Sequence, residues 1–319
     1  MMSKSFTLIF ILTTLLLFGC SDTSSPQKES TTSANDTYSI TDFADRTIEL
    51  EHAPERIAAL SNGEMDIIYA LGGELVGRPN GVSHVEATND VTQIGSTHEI
   101  DLEQLTLAQP DVVLGHAQMN LKDIGTIEGL GAEFVLTQAQ SIEDIQNQIQ
   151  LFGEMLQKED KAAELLATMD EQIKQIQANQ PEHKTRVLLV YGAPGTYMAA
   201  LPNSLSGHLL EVAGGENIAS DFEQLEAYPQ YAQLNTERVI EANPEYILLM
   251  SHGNSEEVKK GFLKEMEQNA TWNNLEAVKQ GRIEVLPSDL FGSNPGTRVT
   301  EALEILAQLF AETSGHSAQ

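Results

Sequence analysis

The stretch NTERVIEANPEYILLMSH, residues 235–252, carries a short helical pattern and then an apolar run that breaks off at Ser251. A run of four to six apolar residues bounded by turn-forming residues is typical of a short strand buried on both faces. DLEQLTLAQPDVVLGH, residues 101–116, repeats the order: an acid in a short helix, then Pro-Asp in place of Pro-Glu, then an apolar strand that ends near a histidine. The two stretches therefore predict one α/β unit that occurs twice.

A second pair of similar segments precedes the first pair in each half. Residues 53–77, APERIAALSNGEMDIIYALGGELVG, contain a strand pattern, a turn, a helix pattern and a Gly-Gly pair, and residues 185–219 contain the same elements with a longer loop. Each Gly pair follows a helix, where a left-handed terminal position favours glycine. We therefore predict an α/β fold of two similar lobes, in which strands alternate with helices and form parallel sheets.

The segment between the copies, residues 153–180, has no internal Gly or Pro and repeats apolar residues at helical spacing. Interpreted as one helix from about Lys158 to Asn179, it would be roughly 33 Å long at 1.5 Å per residue. We predict a first lobe over residues 40–155, a linking helix over 156–180 that acts as a stiff hinge, and a second lobe over 181–319. A crossover helix within one larger domain is the alternative.

The chain opens MMSKSFTLIFILTTLLLFGC, with one lysine, an apolar run and then Gly19 and the only cysteine, Cys20. The run is too short to span a bilayer, which needs about 20 residues, so residues 1–19 are predicted to be a secretory signal peptide. Leu-Phe-Gly-Cys resembles a bacterial lipobox, in which the cysteine becomes the lipid-modified first residue of the mature protein. A free cysteine in a signal anchor is the alternative.

Residues 20–39 are rich in Ser, Thr, Asp and Asn and lack apolar periodicity, so we predict a flexible tether between the anchor and the folded body. Removal of Lys4 with the signal peptide leaves 17 basic residues against 47 acidic ones, a mature net charge of −30. This charge argues against binding of nucleic acid or direct adsorption to anionic lipid.

The lipobox, the tether, the duplicated lobes and the single linking helix together resemble the substrate-binding lipoproteins of ABC importers, in the helical-backbone class that carries siderophores, cobalamin and haem. The resemblance covers nearly all of the chain after Ser39 and implies a ligand cleft between the lobes. The motifs VYGAPGTYMAA, SHGNSEEVKKGF, TWNNLEAVKQGRIEVLP and DLFGSNPG are most similar to the haem-binding lipoproteins of the iron-regulated surface determinant system of Gram-positive bacteria. Pattern and spacing predict only a two-lobed exported binding protein, and haem is implied by the resemblance.

The resemblance implies two axial ligands of the haem iron, one from each lobe. His252, in the His-Gly after the second-lobe strand, matches the histidine of the family, although a histidine that only caps a loop is the alternative. The family's first-lobe ligand is a methionine, but the matching loop IGSTHEIDLE carries His98 instead. Either two imidazoles hold a low-spin iron, or the alignment of this loop slips and another group serves as the ligand. The histidines with weaker claims are His84 and His116 near first-lobe strand ends, His208 in a helix, and His52, His183 and His316 in polar surroundings.

Haem also presents two carboxylates and a large apolar face, so the cleft needs cationic donors and an apolar lining. Arg78 and Arg298 are candidates for the carboxylates, together with the backbone amides of SNPGT. Tyr197, Met198 and Phe291 are candidates for the lining. An ordinary surface arginine or core aromatic residue is the alternative in each case.

Glu103 and Glu237 occupy matching positions, seven residues before Pro110 and Pro244. In the family that this chain resembles, an acid of each lobe docks on arginines of the membrane permease, and these two residues match that role. An acid that only stabilises the first turn of a helix is the alternative.

The sequence lacks the motifs of common catalytic sites, so we predict a binding protein and not an enzyme. We also expect the protein to be a monomer. The implied partners are haem, the ABC permease with its ATPase, and the membrane through the lipid anchor on the extracytoplasmic face of a Gram-positive cell. A carrier of a ferric siderophore or a corrinoid is the main alternative. A zinc or manganese carrier would need three or four clustered ligands, and the histidines are scattered.

Overall fold

The computed structural model describes residues 37–193, 195–251, 255–266 and 270–316. The predicted signal peptide, Cys20 and His252 lie outside the described residues, and so does the side chain of His316. No helix in the described ranges is both long and apolar enough to cross a membrane. The contacts of Thr37–Gln319 make that segment one compact unit.

The described chain begins with a two-stranded antiparallel hairpin of β1 (Tyr38–Thr41) and β2 (Thr47–Leu50). Tyr38 pairs with Leu50, and its phenol donates a hydrogen bond to the carbonyl of Met155. The folded body therefore starts two residues before the end of the predicted tether at Ser39, because Tyr38 and Ser39 already belong to a strand.

The first sheet has five parallel strands in the order β5-β4-β3-β6-β7. Its strands are β3 (Ile57–Ala59), β4 (Leu75–Arg78), β5 (Thr92–Gln93), β6 (Val112–His116) and β7 (Glu133–Thr137). The helices of this half are α1 (Asn62–Ala70), α2 (Leu102–Ala108), α3 (Ala117–Asn120), α4 (Ile124–Glu128) and α5 (Ile142–Met155), with 3₁₀ turns at Glu86–Thr88 and Leu121–Asp123.

The second sheet has six strands. Strands β10 and β12 pair with β8 in parallel, and β13 pairs with β12 in parallel. Strand β9 pairs with β8 and β11 pairs with β9, both antiparallel. Its strands are β8 (Thr185–Tyr191), β9 (Met198–Ala200), β10 (Gly215–Asn217), β11 (Tyr231–Gln233), β12 (Tyr246–Met250) and β13 (Ile283–Val285). The helices are α6 (Glu159–Ala178) between the two sheets, followed by α7 (Leu205–Val212), α8 (Thr236–Ala242), α9 (Ser255–Met266), α10 (Glu276–Lys279), α11 (Ser288–Phe291) and α12 (Val299–His316), with 3₁₀ turns at Ala270–Asn274 and Gly296–Arg298.

The predicted duplication is present in the backbone. The two stretches that suggested it form α2 followed by β6 and α8 followed by β12. Asp101 and Asn235 cap the two helices, and each helix ends at a left-handed residue, Gln109 or Asn243. The first glycines of the two Gly pairs, Gly72 and Gly214, also adopt positive φ angles of 75° and 95°, as predicted for helix ends. The predicted α/β fold of two similar lobes is confirmed.

In each lobe an acid at the equivalent position joins the central strand to the neighbouring helix. In the first lobe, Asp111 accepts hydrogen bonds from the backbone amides of Glu55 and Arg56, and Arg56 donates to carbonyls at the end of α2. In the second lobe, Glu245 accepts from the amide of Arg186, and Arg186 donates to the carbonyl of Asn243. The acid after each proline in the repeat is therefore structural.

Helix α6 lies between the sheets in the chain and is within one residue of the predicted Lys158 to Asn179 helix at each end. It packs on α5 and on α12. A single buried apolar cluster contains Ile57 and Leu114 of the first sheet, Met169 of α6, and Leu189 and Leu248 of the second sheet. Apolar packing therefore continues from one sheet to the other along the helices.

The chain before α12 makes a second connection between the halves, which the sequence did not predict. Asp66 of α1 accepts hydrogen bonds from the amide and the hydroxyl of Thr297, both 2.6 Å long, and its other oxygen lies 2.8 Å from His84 Nε2. Asn294 donates to Gln148 of α5 over 3.1 Å. Although α6 is the covalent link, these bridges restrain movement of the lobes.

We expect Asp66→Ala to lower the free energy of unfolding by about 3 kcal/mol, because Asp66 is 7% exposed and its loss leaves Thr297 and His84 without their acceptor. Urea denaturation measures the effect. Asp90→Ala, at an exposed site, serves as the control and should change stability by less than about 0.5 kcal/mol. Equal stabilities of the two variants would show that water replaces the bridge at no cost.

Candidate ligand-binding cleft

Loops that follow the carboxyl ends of strands carry most of the predicted site residues. In open parallel sheets this edge is where ligands bind, because the loops there present side chains and free backbone groups. In the second sheet the relevant loops follow β8 and β12, and in the first sheet they follow β4, β5 and β6. These loops form two candidate walls, one on each lobe.

The second-lobe wall contains a pocket of about 660 Å³, a volume typical of small-molecule sites. Tyr197 and Met198, both predicted to line the ligand cleft, contribute to it. Ser251, which also lines the pocket, directly precedes His252 in the chain. The other described lining residues are Tyr191, Gly192, Ala193, Thr196, Leu225, Tyr228 and Gln233. None of the described lining side chains is charged, so this wall suits an apolar or aromatic ligand face.

Aromatic residues fix the shape of this pocket. Tyr191 and Tyr231 stack with their ring centroids 5.3 Å apart, and burial together with Tyr191 raises the pKa of Tyr231 to about 12. Tyr197 packs edge-on against Phe262 at 5.1 Å, and Phe262 packs edge-on against Trp272 at 6.0 Å. The rings on the pocket wall are therefore supported by a second aromatic row inside the lobe.

Tyr197 has a buried polar group without a partner among the described residues. The residue is 9% exposed, and within the described part of the chain its hydroxyl has no hydrogen-bond partner. Burial, with a further contribution from Glu265, raises the pKa of the Tyr197 phenol. The phenol is therefore a neutral hydrogen-bond donor at physiological pH, and a buried donor without a partner favours a ligand atom that accepts a hydrogen bond.

His98 lies in a braced turn on the first-lobe wall. The amide of Ser96 donates to the carbonyl of Glu99 over 2.8 Å, which closes a turn with His98 near its tip. Asn120, fully buried, donates to the carbonyl of Thr97 over 2.9 Å and ties the turn to α3. The His98 ring is exposed, and no described residue forms a hydrogen bond with it. Hydrogen bonds therefore fix the backbone of this turn, whereas the described residues form none with the His98 imidazole.

His116 is close to His98 but is already engaged. Its Nδ1 accepts a hydrogen bond from the amide of Gln118 over 3.2 Å and caps α3. Burial lowers the pKa of His116, and the nearby His98 lowers it further. Because Nδ1 is the acceptor in this neutral ring, Nε2 carries the proton and has no lone pair for a metal. His116 therefore suits a structural role better than a ligand role.

The remaining described histidines have structural partners or exposed positions. His84 bonds to Asp66, and His183 lies 3.2 Å from Glu245. His52 is exposed and contacts only the carbonyl of Ala53 among the contacts described. His208 lies half-buried in α7, and burial lowers its pKa. Among the described residues, no group of three or more His, Cys, Asp or Glu side chains could hold a metal ion.

Two of the predicted cleft residues are placed differently from the prediction. Phe291 is 5% exposed and belongs to the core that runs between the sheets, so its ring does not line the pocket. Arg298 forms ion pairs with Asp289 and Glu301, each 2.9 Å long, and these carboxylates raise its pKa. Its guanidinium is occupied by the protein's own carboxylates, so it is a poor partner for a ligand carboxylate.

Arg78 is buried at the end of β4 and not extended into solvent. It is 6% exposed, and its Nη1 donates to the carbonyls of Pro79 and Gly81. Its Nε has no partner in the described part of the chain. The Arg78 loop is joined to the His98 turn, because the amide of Asn80 donates to the carbonyl of Gly95. The Arg78 guanidinium therefore lies buried under the first-lobe wall, and none of the described ion pairs gives it a carboxylate partner.

The two walls meet at one described polar contact. Gln230, just before β11, donates to Gln118 of α3 over 3.5 Å. Gln230 is adjacent to Tyr231, and Tyr228 lines the pocket, so this contact lies beside the second-lobe wall. The repeat places Gln118 at the first-lobe position that corresponds to His252.

Glu103 and Glu237 are both exposed in the first turns of α2 and α8. The structure therefore places them at equivalent surface positions of the two lobes and not in the pocket.

Several residues near the walls were not predicted from the sequence. Tyr191 and Tyr228 line the pocket, and Gln118 makes the contact between the walls. Met119 is half-buried on α3, whose last residue Asn120 holds the His98 turn. The signal that could have found Gln118 and Met119 was their position directly after a predicted strand.

Comparison with known proteins agrees with the resemblance deduced from the motifs. The model of the periplasmic binding protein family matches residues 57–290. Over 240 residues the chain is 30% identical to the High-affinity heme uptake system protein IsdE of Staphylococcus aureus (strain MRSA252), which covers 74% of this chain and 80% of the relative.

Solved structures also resemble the chain. An ABC transporter substrate-binding protein from Listeria monocytogenes EGD-e has a TM-score of 0.70 and 30% identity, over 80% of this chain and 98% of that chain. S. aureus IsdE complexed with heme has a TM-score of 0.69 and 28% identity, over 80% of this chain and 98% of that chain. Both the family match, which spans most of the two lobes, and the shared fold support one conclusion: this chain belongs to the periplasmic binding protein family.

Proposed function

We propose that this protein is the substrate-binding component of an ABC importer, that it captures haem between its lobes, and that it delivers haem to the membrane permease. The observation that carries the proposal is the uncharged aromatic pocket of about 660 Å³ beside Ser251, the residue before His252. Membership of the family supports a binding role and not catalysis.

The pocket supplies the larger part of the binding free energy in this proposal. Tyr191, Met198 and Tyr228 present apolar surface to one face of the porphyrin. Burial of apolar area contributes about 25 cal/mol per Å², so a flat ligand of this size gains several kcal/mol from the wall. The aromatic row of Phe262 and Trp272 behind Tyr197 keeps that wall rigid.

Iron coordination adds directional contacts from both lobes. We assign His252 as the second-lobe ligand and His98 as the first-lobe ligand. His98 is favoured over His116 because its ring has no described hydrogen bond, whereas coordination by His116 would require the cap on α3 to break. Neutral imidazole is the form that binds iron, so loading should weaken at acidic pH.

The carboxylates of haem need cationic or amide donors. Arg78 is the candidate that keeps this role, because it is buried without a carboxylate partner in the described ion pairs and lies beside the His98 turn. Its field favours an anionic group at the first-lobe wall, even though two loop carbonyls hold its Nη1.

Similarity to a haem uptake protein supports the choice of ligand. The relative with 30% identity is a high-affinity heme uptake system protein, and the neighbour with 28% identity was solved with heme. Attachment through Cys20 to the extracytoplasmic face of the membrane, and docking of Glu103 and Glu237 on the permease, complete the proposal.

A ferric siderophore or a corrinoid is the second candidate, favoured by the polar groups in the pocket. The free Tyr197 hydroxyl, together with Thr196 and Gln233 on the same wall, could hydrogen-bond to the oxygens of such a ligand. In that case His98 and His252 would donate hydrogen bonds and would not coordinate iron.

Titration of residues 37–319 with haem tests the proposal. Trp272 is the only tryptophan, is 2% exposed and is linked through Phe262 to the pocket residue Tyr197, so its fluorescence should be quenched at a 1:1 ratio. The loaded protein should show the spectrum of low-spin, six-coordinate iron. Leu225→Glu, which places a charge on the uncharged wall, should weaken binding about tenfold or more, and Tyr228→Phe should not.

The same titration with a ferric tris-catecholate siderophore and with cobalamin separates the candidates. Quenching by one of these compounds without uptake of haem would contradict the haem assignment and keep the binding-protein assignment. Absence of quenching by any of them would contradict the pocket as the ligand site.

A further inference from the structure

Asn120, the last residue of α3, is a fully buried amide that joins three segments of the first lobe. Its Oδ1 accepts a hydrogen bond from the backbone amide of His116, at the end of β6, over 3.0 Å. Its Nδ2 donates to the carbonyl of Thr97, in the His98 turn, over 2.9 Å and to the carboxylate of Asp123 over 3.0 Å. Because its partners are one amide and two acceptors, the orientation of the side chain is fixed, and both of its donor hydrogens are used.

A second asparagine holds the same turn from another loop. The amide of Asn80 donates to the carbonyl of Gly95 over 2.8 Å, and its Oδ1 accepts a hydrogen bond from the amide of Gly95 over 3.1 Å. Asn80 is exposed, so water can replace its side chain, and Gly95 lies three residues before His98. Asn120 bonds instead to Thr97, the residue directly before His98, and it is fully buried. Asn120 therefore restrains the backbone directly beside the imidazole.

The His98 imidazole makes no use of this support within the described part of the chain. Its ring is exposed, and no described residue forms a hydrogen bond with it. When a side chain on a loose loop binds a ligand, the loop backbone must be ordered at an entropic cost. A turn that is ordered during folding avoids this cost when the ligand arrives. A buried amide that fixes the backbone of an exposed imidazole is therefore what a preorganised ligand site requires.

We propose that Asn120 is a positioning residue of the ligand site: through the carbonyl of Thr97 it holds the His98 turn so that the imidazole stands ready to coordinate the iron of haem. The inference rests on the function and the ligand proposed above. Asn120 does not touch haem in this role and acts through His98 alone. Loss of the contact should therefore disorder the turn in the haem-free protein and weaken the bond from His98 to iron in the loaded protein.

A double substitution at positions 120 and 123 isolates the contact with Thr97. In N120D/D123N the carboxylate at position 120 still accepts from the His116 amide, and the amide at position 123 donates to it, so both contacts and the net charge are kept. Only the Thr97 carbonyl loses its donor. D123N alone is the matched control, because Asn120 then keeps its donor for Thr97. If urea denaturation shows that the double substitution prevents folding, N120A removes the same donor without burying a charge.

Hydrogen exchange of residues 37–319 without haem measures the order of the turn, and haem titration with electron paramagnetic resonance measures ligation. We expect N120D/D123N to speed amide hydrogen exchange at Ser96, whose amide closes the turn on Glu99, about tenfold or more. Haem affinity should fall about tenfold, and part of the iron should become high-spin. D123N should stay within about twofold of the original protein in each measurement. In the H98A background the double substitution should cause no further loss of haem affinity, because residues that act through one another are not additive.

Unchanged hydrogen exchange at Ser96 would show that the turn is ordered without Asn120. Faster hydrogen exchange with unchanged haem affinity would show that order in the turn does not affect loading, and a further loss of affinity in the H98A background would reduce Asn120 to a structural residue. Each of these results overturns the proposal. If the original protein takes up no haem, the proposed function fails and the role of Asn120 toward haem fails with it. Faster hydrogen exchange at Ser96 would then still show that Asn120 orders the turn.

Discussion

His252→Ala is expected to lower haem affinity by about 100-fold or more, because loss of a direct ligand should exceed the roughly 10- to 100-fold cost of losing an outer partner of a metal site. His98→Ala should have the smaller effect. In the proposal the second-lobe pocket, which Ser251 lines, holds one face of the ligand, and His252 follows Ser251 in the chain, whereas His98 stands exposed on its turn. Either substitution should convert low-spin iron to a high-spin or water-ligated form.

Absorption and electron paramagnetic resonance spectra of the loaded variants measure this outcome. His52→Ala is the matched control, because His52 is exposed and contacts the carbonyl of Ala53 outside the pocket. It should bind haem with unchanged affinity and unchanged spectrum. A loss of binding in all three variants would indicate general instability and would remove support for both assigned ligands.

Two further variants identify the first-lobe ligand if His98→Ala leaves the spectrum intact. Met119→Leu tests a thioether ligand from α3, which lies next to the His98 turn through Asn120. His116→Ala tests the histidine that caps α3. A change from low-spin to high-spin iron in only one of these variants would reassign the ligand to that residue. If neither does so, His84 and Tyr197 are the next residues to test.

The double variant Glu103→Arg and Glu237→Arg is expected to abolish uptake of haem iron by cells while leaving loading intact. Both acids are exposed in the first turns of α2 and α8, so their charge is available to a partner. Reversal of both charges replaces attraction to permease arginines with repulsion at two points, and like-charge contacts in an interface cost several kcal/mol. Growth on haem as the sole iron source and the Trp272 titration measure the two functions separately.

The control for this experiment changes the same amount of charge elsewhere. Glu74→Arg with Glu171→Arg alters two exposed acids outside α2 and α8. Uptake should stay within about twofold of the original level, since surface charges away from the contact act only through the screened long-range field. A large loss of haem affinity in the Glu103 and Glu237 variant would place these acids in the cleft. An equal loss of uptake in the control variant would show that the change in net charge, and not contact at these two positions, causes the effect.

The fold could be predicted from the sequence because its decisive signals are local. Apolar strands, left-handed helix ends at Gly72 and Gly214, and the uninterrupted helix of residues 159–178 each depend on neighbouring residues. Self-similarity then supplied the topology, because two copies of one pattern predict two lobes. The bridge from Asp66 to Thr297 was not predictable, since 231 residues separate the partners and neither has a distinctive local pattern.

The candidate site was predictable only where a residue's position in a strand or loop determines its role. Met198 reaches the pocket because it begins β9, the strand after the β8 loop, and Tyr197 directly precedes that strand. Arg298 and Phe291 do not line the described pocket, for a physical reason that the sequence does not show. Arg298 forms ion pairs with Asp289 and Glu301, and Phe291 is covered by the core. Whether a charged or aromatic side chain faces a cleft depends on partners distant in the chain.

The apolar cluster that contains Leu114, Met169 and Leu248 has a thermodynamic consequence. Each lobe has a buried cluster of its own, but the two sheets also share this one, so unfolding of one lobe would expose part of the interior of the other, and heat should melt them in one cooperative transition. Ligand that binds only the native state then raises the melting temperature of the entire chain, by an amount set by ligand concentration relative to Kd. Calorimetry in the presence of different metallocycles would therefore rank their affinities by a property of the whole molecule, without a chromophore or a probe in the cleft.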